Sequence, residues 1–227
     1  MRARKGSQKW MQIGANDRPD VLQEALRASG AVRNEATVEW LSPLAAEDYV
    51  EYRDGAFLDL LKVELKKRDL YSFWPPRGPM WDGLARTSDG EVLLVEAKAH
   101  LAEMVSPASK ASPGSLKLIE KALRETQAAL APRVDMAWHG TFYQIANRLA
   151  HLYLLRELNG VKARLVDLYF IGDQEMGGPR TRNEWEGAIR VTEVYLGLGR
   201  HRLQKYIHHV FVDVAEFATK PAPPIAR

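Results

Sequence analysis

Cysteine is absent from this chain of 227 residues. Its absence excludes disulfides, thiolate metal ligands and cysteine nucleophiles, and it suits a reducing compartment, so a cytoplasmic location is expected. Also missing is any run of the ~18 apolar residues that a membrane-spanning helix requires, and no membrane partner is expected. The basic segment Met1–Lys9 leads into no apolar stretch, which argues against a secretory signal. Neither sign of charge dominates: 32 Lys and Arg against 29 Asp and Glu give a net charge of +3. That balance permits a nucleic-acid partner without requiring one. A GxxxxGKS/T phosphate loop, a GxSxG elbow and an HExxH pair are all lacking, so the enzyme classes built on them have no support. Internal repeats are lacking too.

What is present is an ordinary globular balance, 46% hydrophobic and 27% charged, in a chain long enough to bury a core without covalent staples. The pattern predicts a short helix over Pro19–Gly30, with Asp20 placed to cap it and Gly30 to stop it, and a strand over Ala36–Leu41. A long helix is expected over Ala45–Lys67, with Tyr49, Tyr52, Ala56, Leu60 and Val63 as its core-facing stripe. The Phe73–Pro79 stretch breaks it with three prolines and a glycine. Strands over Trp81–Arg86 and Glu91–Ala99, joined at Thr87–Gly90, read as a hairpin. Beyond a Ser/Pro/Ala-rich loop at Ser106–Ser115, helices are expected over Ser115–Leu130 and Thr141–Leu158. A strand over Val161–Ile171, a helix over Asn183–Leu198 and a strand over His209–Val214 complete the order. These elements imply an α/β fold, a mixed sheet flanked by helices. Residues 1–42 read as an N-terminal appendage, 43–217 as the main domain and 218–227 as a flexible tail.

The chemistry concentrates in Met80-Trp81-Asp82-Gly83-Leu84 and Glu91-Val92-Leu93-Leu94-Val95-Glu96-Ala97-Lys98-Ala99-His100. Val92–Val95 is an apolar run suited to a strand buried on both faces, and it leads directly into Glu96 and Lys98. Residues two apart on a strand share a face, so the carboxylate and the ammonium emerge together. Burying two such ions costs several kcal/mol each unless partners compensate, which calls for a structural ion pair or a function. The hairpin brings Asp82 towards Glu96. Two converging carboxylates repel, and a divalent cation removes the repulsion. Mg²⁺ is commonly held by one or two carboxylates together with waters and phosphate oxygens.

Asp82 followed by Glu96-Ala97-Lys98 after an apolar strand resembles the PD-(D/E)xK nuclease superfamily, and the specific match covers about 20 residues. The position before Asp82 is Trp81, where that superfamily often has Pro. The resemblance implies a restriction endonuclease-like fold and an Mg²⁺-dependent nuclease, with Mn²⁺ as a substitute, acting on DNA or, less favoured, on RNA. Asp82 and Glu96 would bind the metal, and Lys98 would support attack by water. A further carboxylate from the preceding helix is common in the superfamily, with Glu51 and Glu64 as candidates here. A homodimer is an open option, since many members pair up to cut two strands. The alternative is a catalytically inactive module of the same fold that binds nucleic acid or a protein.

Other candidates have a plain reading beside the functional one. His100 and Glu103 follow the motif strand and read as surface residues at its end, or as rim groups of a site. Gln144 falls on the polar side of its helix with Arg148 and His151, opposite Phe142, Ile145, Ala146, Leu149 and Tyr153, a face that reads as solvated, with the lining of a substrate groove as the alternative. Trp74, Trp81 and Trp138 read as packing, with base stacking as the alternative. The basic groups Lys62–Arg68 and Arg200–Lys205 read as solvated faces. His208-His209 has no recognisable ligand spacing.

Overall fold

The computed structural model describes residues 1–132 and 136–218, so the proline-rich tail from residue 219 onward lies outside the described residues. A five-stranded mixed sheet has the order β1 (Val38–Ser42), β2 (Gly83–Thr87), β3 (Val92–Lys98), β4 (Ala163–Ile171), β5 (Ile207–Asp213). The first three strands form an antiparallel meander, and β3, β4 and β5 run parallel. Parallel neighbours need long crossovers. α5 (Pro113–Leu130) and α6 (Tyr143–Tyr153) supply one, and α7 (Arg182–Leu196) supplies the other.

Alternation along the strands divides the core in two. Leu93, Val95 and Ala97 of β3 face a cluster containing Val166, Leu168, Val210 and Val212 together with Met11, Leu22 and Leu26. The last three belong to α1 (Gly6–Asn16) and α2 (Pro19–Ala28), which cover that side. Gly83 is required there: a β-carbon on it would lie 2.7 Å from the Met11 methyl. Val92 and Leu94 face the opposite cluster, built with Leu84, Leu165 and residues of α5, α6, α3 (Asp54–Leu61) and the one-turn α4 (Leu70–Phe73). The result is an α/β fold with helices on both faces of the sheet. Residues 1–42 supply α1, α2 and β1, and β1 pairs with β2.

Two expectations need correction. The long helix over Ala45–Lys67 is only α3, because Asp48, Tyr49, Asp54 and Lys62 have positive φ (54° to 62°) and interrupt or end helical geometry. Tyr52 instead forms a β-bridge with Trp81, and the buried stripe is Phe57, Leu58 and Leu61. Asp20 is not the cap of α2. It sits in the first turn behind Pro19 and pairs with Arg18. The helix α1 has no counterpart in the sequence reading. Trp74, Trp81 and Trp138 are each no more than 1% exposed and are therefore core residues, not stacking platforms.

Candidate active site

The hairpin positions the first pair of acids. Gly83 pairs with Val95 in the β2–β3 ladder, and the next step along that register sets Asp82 opposite Glu96. The Asp82 Oδ2 atom accepts a 2.7 Å hydrogen bond from the Ala97 backbone N–H. Lys98 donates to Glu96 Oε1, while Arg148 Nε donates to Glu96 Oε2 at 2.6 Å. Both Glu96 oxygens are thus engaged by cations, and Glu96 and Lys98 are only 4% and 7% exposed.

Burial pushes the Asp82 carboxyl upward and the neighbouring Glu96 pushes it further, to about 7 against an ordinary 3.8. Burial also disfavours ionised Glu96, but Arg148 and Lys98 outweigh it and hold that carboxyl below its usual range. Burial opposes the charge on Lys98, and Glu96 and Asp82 more than offset it, so the amine stays protonated. The two acids are therefore unequal. Glu96 is saturated with positive charge, and Asp82 has too little.

Lys98 also donates to Gln144 Oε1 at 3.1 Å. An ammonium has three N–H groups, so one remains after these two bonds. Gln144, Asn147 and Arg148, with Asp82 and Lys98, line a cleft of about 590 Å³ open to solvent. The polar side of α6 is consequently not a solvated face. Residues Ala146 to Tyr153 are all buried, since the hairpin and α3 cover the side that the helical wheel leaves to water. Arg148, 4% exposed, also donates to the Met80 carbonyl and lies over the Trp81 ring. His151 is packed against Trp74 and donates from Nδ1 to the Asn147 carbonyl, 2.8 Å away. Burial lowers its pKa to about 4, so the ring is neutral.

Glu51 lies not on a helix but in the extended segment next to Tyr52, which bridges the neighbour of Asp82. Gln8 of α1 donates to it at 2.8 Å. Burial raises the Glu51 pKa, and the charge of Glu96 adds to the rise, so this carboxyl is within electrostatic reach of the site. Glu64 is exposed in the coil after α3 and takes no part. Glu103 closes the end of β3 by accepting from the Ala99 and His100 N–H groups, and Ser7 of α1 donates to its other oxygen at 3.0 Å. The Gly172–Pro179 turn presses on the same end. A β-carbon on Gly178 would sit 2.1 Å from the Ala99 carbonyl oxygen.

Arg148 is the site residue that sequence reasoning missed. Its spacing of four from Gln144 was the available signal, since both then leave one face of a helix. Comparison with protein-family models, curated proteins and solved structures finds no match to this chain.

Proposed function

We propose that this chain is an Mg²⁺-dependent nuclease with a restriction endonuclease-like core, hydrolysing phosphodiester bonds in DNA, with RNA the less favoured substrate. The observation that carries the reading is the opposition of Asp82 and buried Glu96, with Asp82 and Lys98 lining an open cleft and Lys98 bonded to Glu96. The strain on Asp82 supports it, because a nearby dication relieves what a shared proton otherwise must.

The donor set fits a hard cation. Among the described residues no three His, Asp or Glu side chains lie close enough to hold an ion by themselves. Two carboxylates beside an open cleft suit Mg²⁺, which keeps several waters, or Mn²⁺. They do not suit zinc, which takes three or four protein ligands. Asp82 and Glu96 would hold the ion, with Glu51 within electrostatic reach of Glu96. When bound, the ion supplies an acidified water and offsets charge on the attacked phosphate. Protonated Lys98 is not a base. Its remaining N–H holds the attacking water or a phosphate oxygen, while Gln144 fixes its direction. Arg148 orients Glu96 and keeps it ionised.

One observation favours the inactive alternative: Lys98 and Arg148 already neutralise Glu96. A single set of assays separates the two. Linear, circular and single-stranded DNA and RNA are incubated with the chain, with and without Mg²⁺, and melting is followed across an Mg²⁺ titration. The nuclease reading requires Mg²⁺-dependent cleavage, lost in Asp82→Asn and Glu96→Gln, and a rise in Tm with Mg²⁺. Neither cleavage nor a metal-dependent rise in Tm would leave the inactive module standing.

A further inference from the structure

The register that carries Glu96 continues sideways: Glu96 pairs with Asp167 on β4, and Asp167 pairs with His209 on β5. Paired residues share a face, so this polar row lies on the side of the sheet that holds the cleft. Its far end opens into a second cavity of about 530 Å³, between the β4–β5 face and α7. That volume falls within the ~300–1,000 Å³ of ordinary small-molecule sites. Ile145, Leu149, Leu165, Ile189 and Leu198 give it apolar walls. Ile145 and Leu149 of α6 line this cavity while Gln144 and Arg148 line the cleft, so the helix borders both.

Two features inside the cavity point to a ligand. His209 lies between two acids, with Nδ1 3.4 Å from Asp167 Oδ2 and Nε2 3.7 Å from Glu193 Oε1, and Glu193 also feels the charge of Arg190. The Nδ1 atoms of His209 and His201 are both buried without a hydrogen bond. The mouth is different in kind. Arg200, His201 and Gln204 line both the cavity and the open depression beside it, which adds Arg202 and Lys205. The basic run Arg200–Lys205 is therefore not just a solvated face but the rim of this opening.

We propose that the cavity binds a nucleoside phosphate, its base enclosed by the apolar walls and facing Asp167 and Glu193, and its phosphate on Arg200 and Lys205 at the rim. A flat, largely apolar ring with N–H donors matches apolar walls and inward acceptors, and a guanidinium at the entrance matches a phosphate. A fatty acid would leave both carboxylates facing hydrocarbon, and free phosphate would leave the walls uncovered. The protonation of His209 agrees with this arrangement: burial lowers its pKa, but Asp167 and Glu193 outweigh that and lift it to about 9.

The proposal is independent of the nuclease reading, and its test excludes metal. With EDTA present, the full chain is titrated calorimetrically with AMP, GMP, CMP and UMP, with the matching nucleosides, with inorganic phosphate and with a short single-stranded oligonucleotide. The oligonucleotide distinguishes a chain end from a free nucleotide as the source. At least one monophosphate should bind in the micromolar range and its nucleoside about tenfold more weakly. Arg200→Ala, an exposed change that does not threaten folding, should weaken the monophosphate by about tenfold and Asp167→Asn should weaken it too, while Asp82→Asn leaves it unchanged. The proposal fails if no monophosphate binds up to millimolar concentration. It also fails if binding survives Arg200→Ala and disappears in Asp82→Asn, which would assign it to the cleft.

Discussion

The cleft at Asp82 and the cavity at His209 share one sheet face and one level of its register, yet they distribute charge in opposite ways. In the cleft a buried anion, Glu96, is held between two cations, and the unmet demand falls on Asp82. In the cavity a cation, His209, is held between two anions, and further positive charge stands at Arg190 and, on the rim, at Arg200 and Lys205. Each arrangement stabilises its central ion, and what remains around it differs. The cleft leaves Asp82 short of positive charge, whereas the cavity carries basic side chains at its rim.

The contrast can be broken most forcefully at Glu96. Glu96→Ala removes the anion bonded to buried Lys98 and Arg148, a loss of about 3–5 kcal/mol. For a chain of this size that lowers Tm by roughly 10 °C, measurable by calorimetry, and Glu96→Gln should lower it less because it keeps hydrogen-bond acceptance. Loss of cleavage in the alanine variant alone therefore confounds folding with chemistry, and the glutamine variant is the one to assay.

A smaller effect is expected at His209. Its folded pKa of about 9 exceeds the ordinary 6.5, so its contribution is complete below about pH 6.5 and disappears as pH rises through 9. His209→Gln should cost about 1–2 kcal/mol at pH 6, allowing for partial solvent screening, and little at pH 10. Urea denaturation of both proteins at the two pH values checks this. An equal loss at both would mean that packing, not charge, explains the residue.

The smallest change has the opposite sign. Asp82 has a folded pKa near 7 against 3.8, so the folded state holds the extra proton and metal-free stability falls as pH rises from about 4 to 7. Asp82→Asn should flatten that slope and raise stability at pH 8 by about 1 kcal/mol, or ~3 °C, while abolishing any response to Mg²⁺. If the variant is destabilised at pH 8, the strain assigned to Asp82 is absent.

Local pattern made much of the fold legible. The hairpin followed from two β-rich runs about Thr87–Gly90, and α2, α5, α6, α7, β4 and β5 all lie within a few residues of their expected positions. The segment after Pro43 was misread because its apolar spacing suits a helix, while the Tyr52–Trp81 bridge and the positive φ angles that exclude one are tertiary features. In the site, Asp82, Glu96 and Lys98 were readable from strand alternation alone. Glu51 was expected on a helix but lies in an extended segment within electrostatic reach of Glu96. Arg148 was misassigned to water because a helical wheel records which residues share a side and not what covers that side.

The sequence by itself determined the acids and the amine of β2 and β3, since period-two alternation fixes which side chains emerge together once a strand is granted. Only the tertiary structure decided their electrostatic state, because that depends on α6 delivering Arg148 to Glu96 from 52 residues away. It alone also joined Asp167, Glu193 and His209, which no local spacing connects. Strand pairing and helix packing bring distant residues within range, and at that range burial removes the water that would otherwise screen their charges.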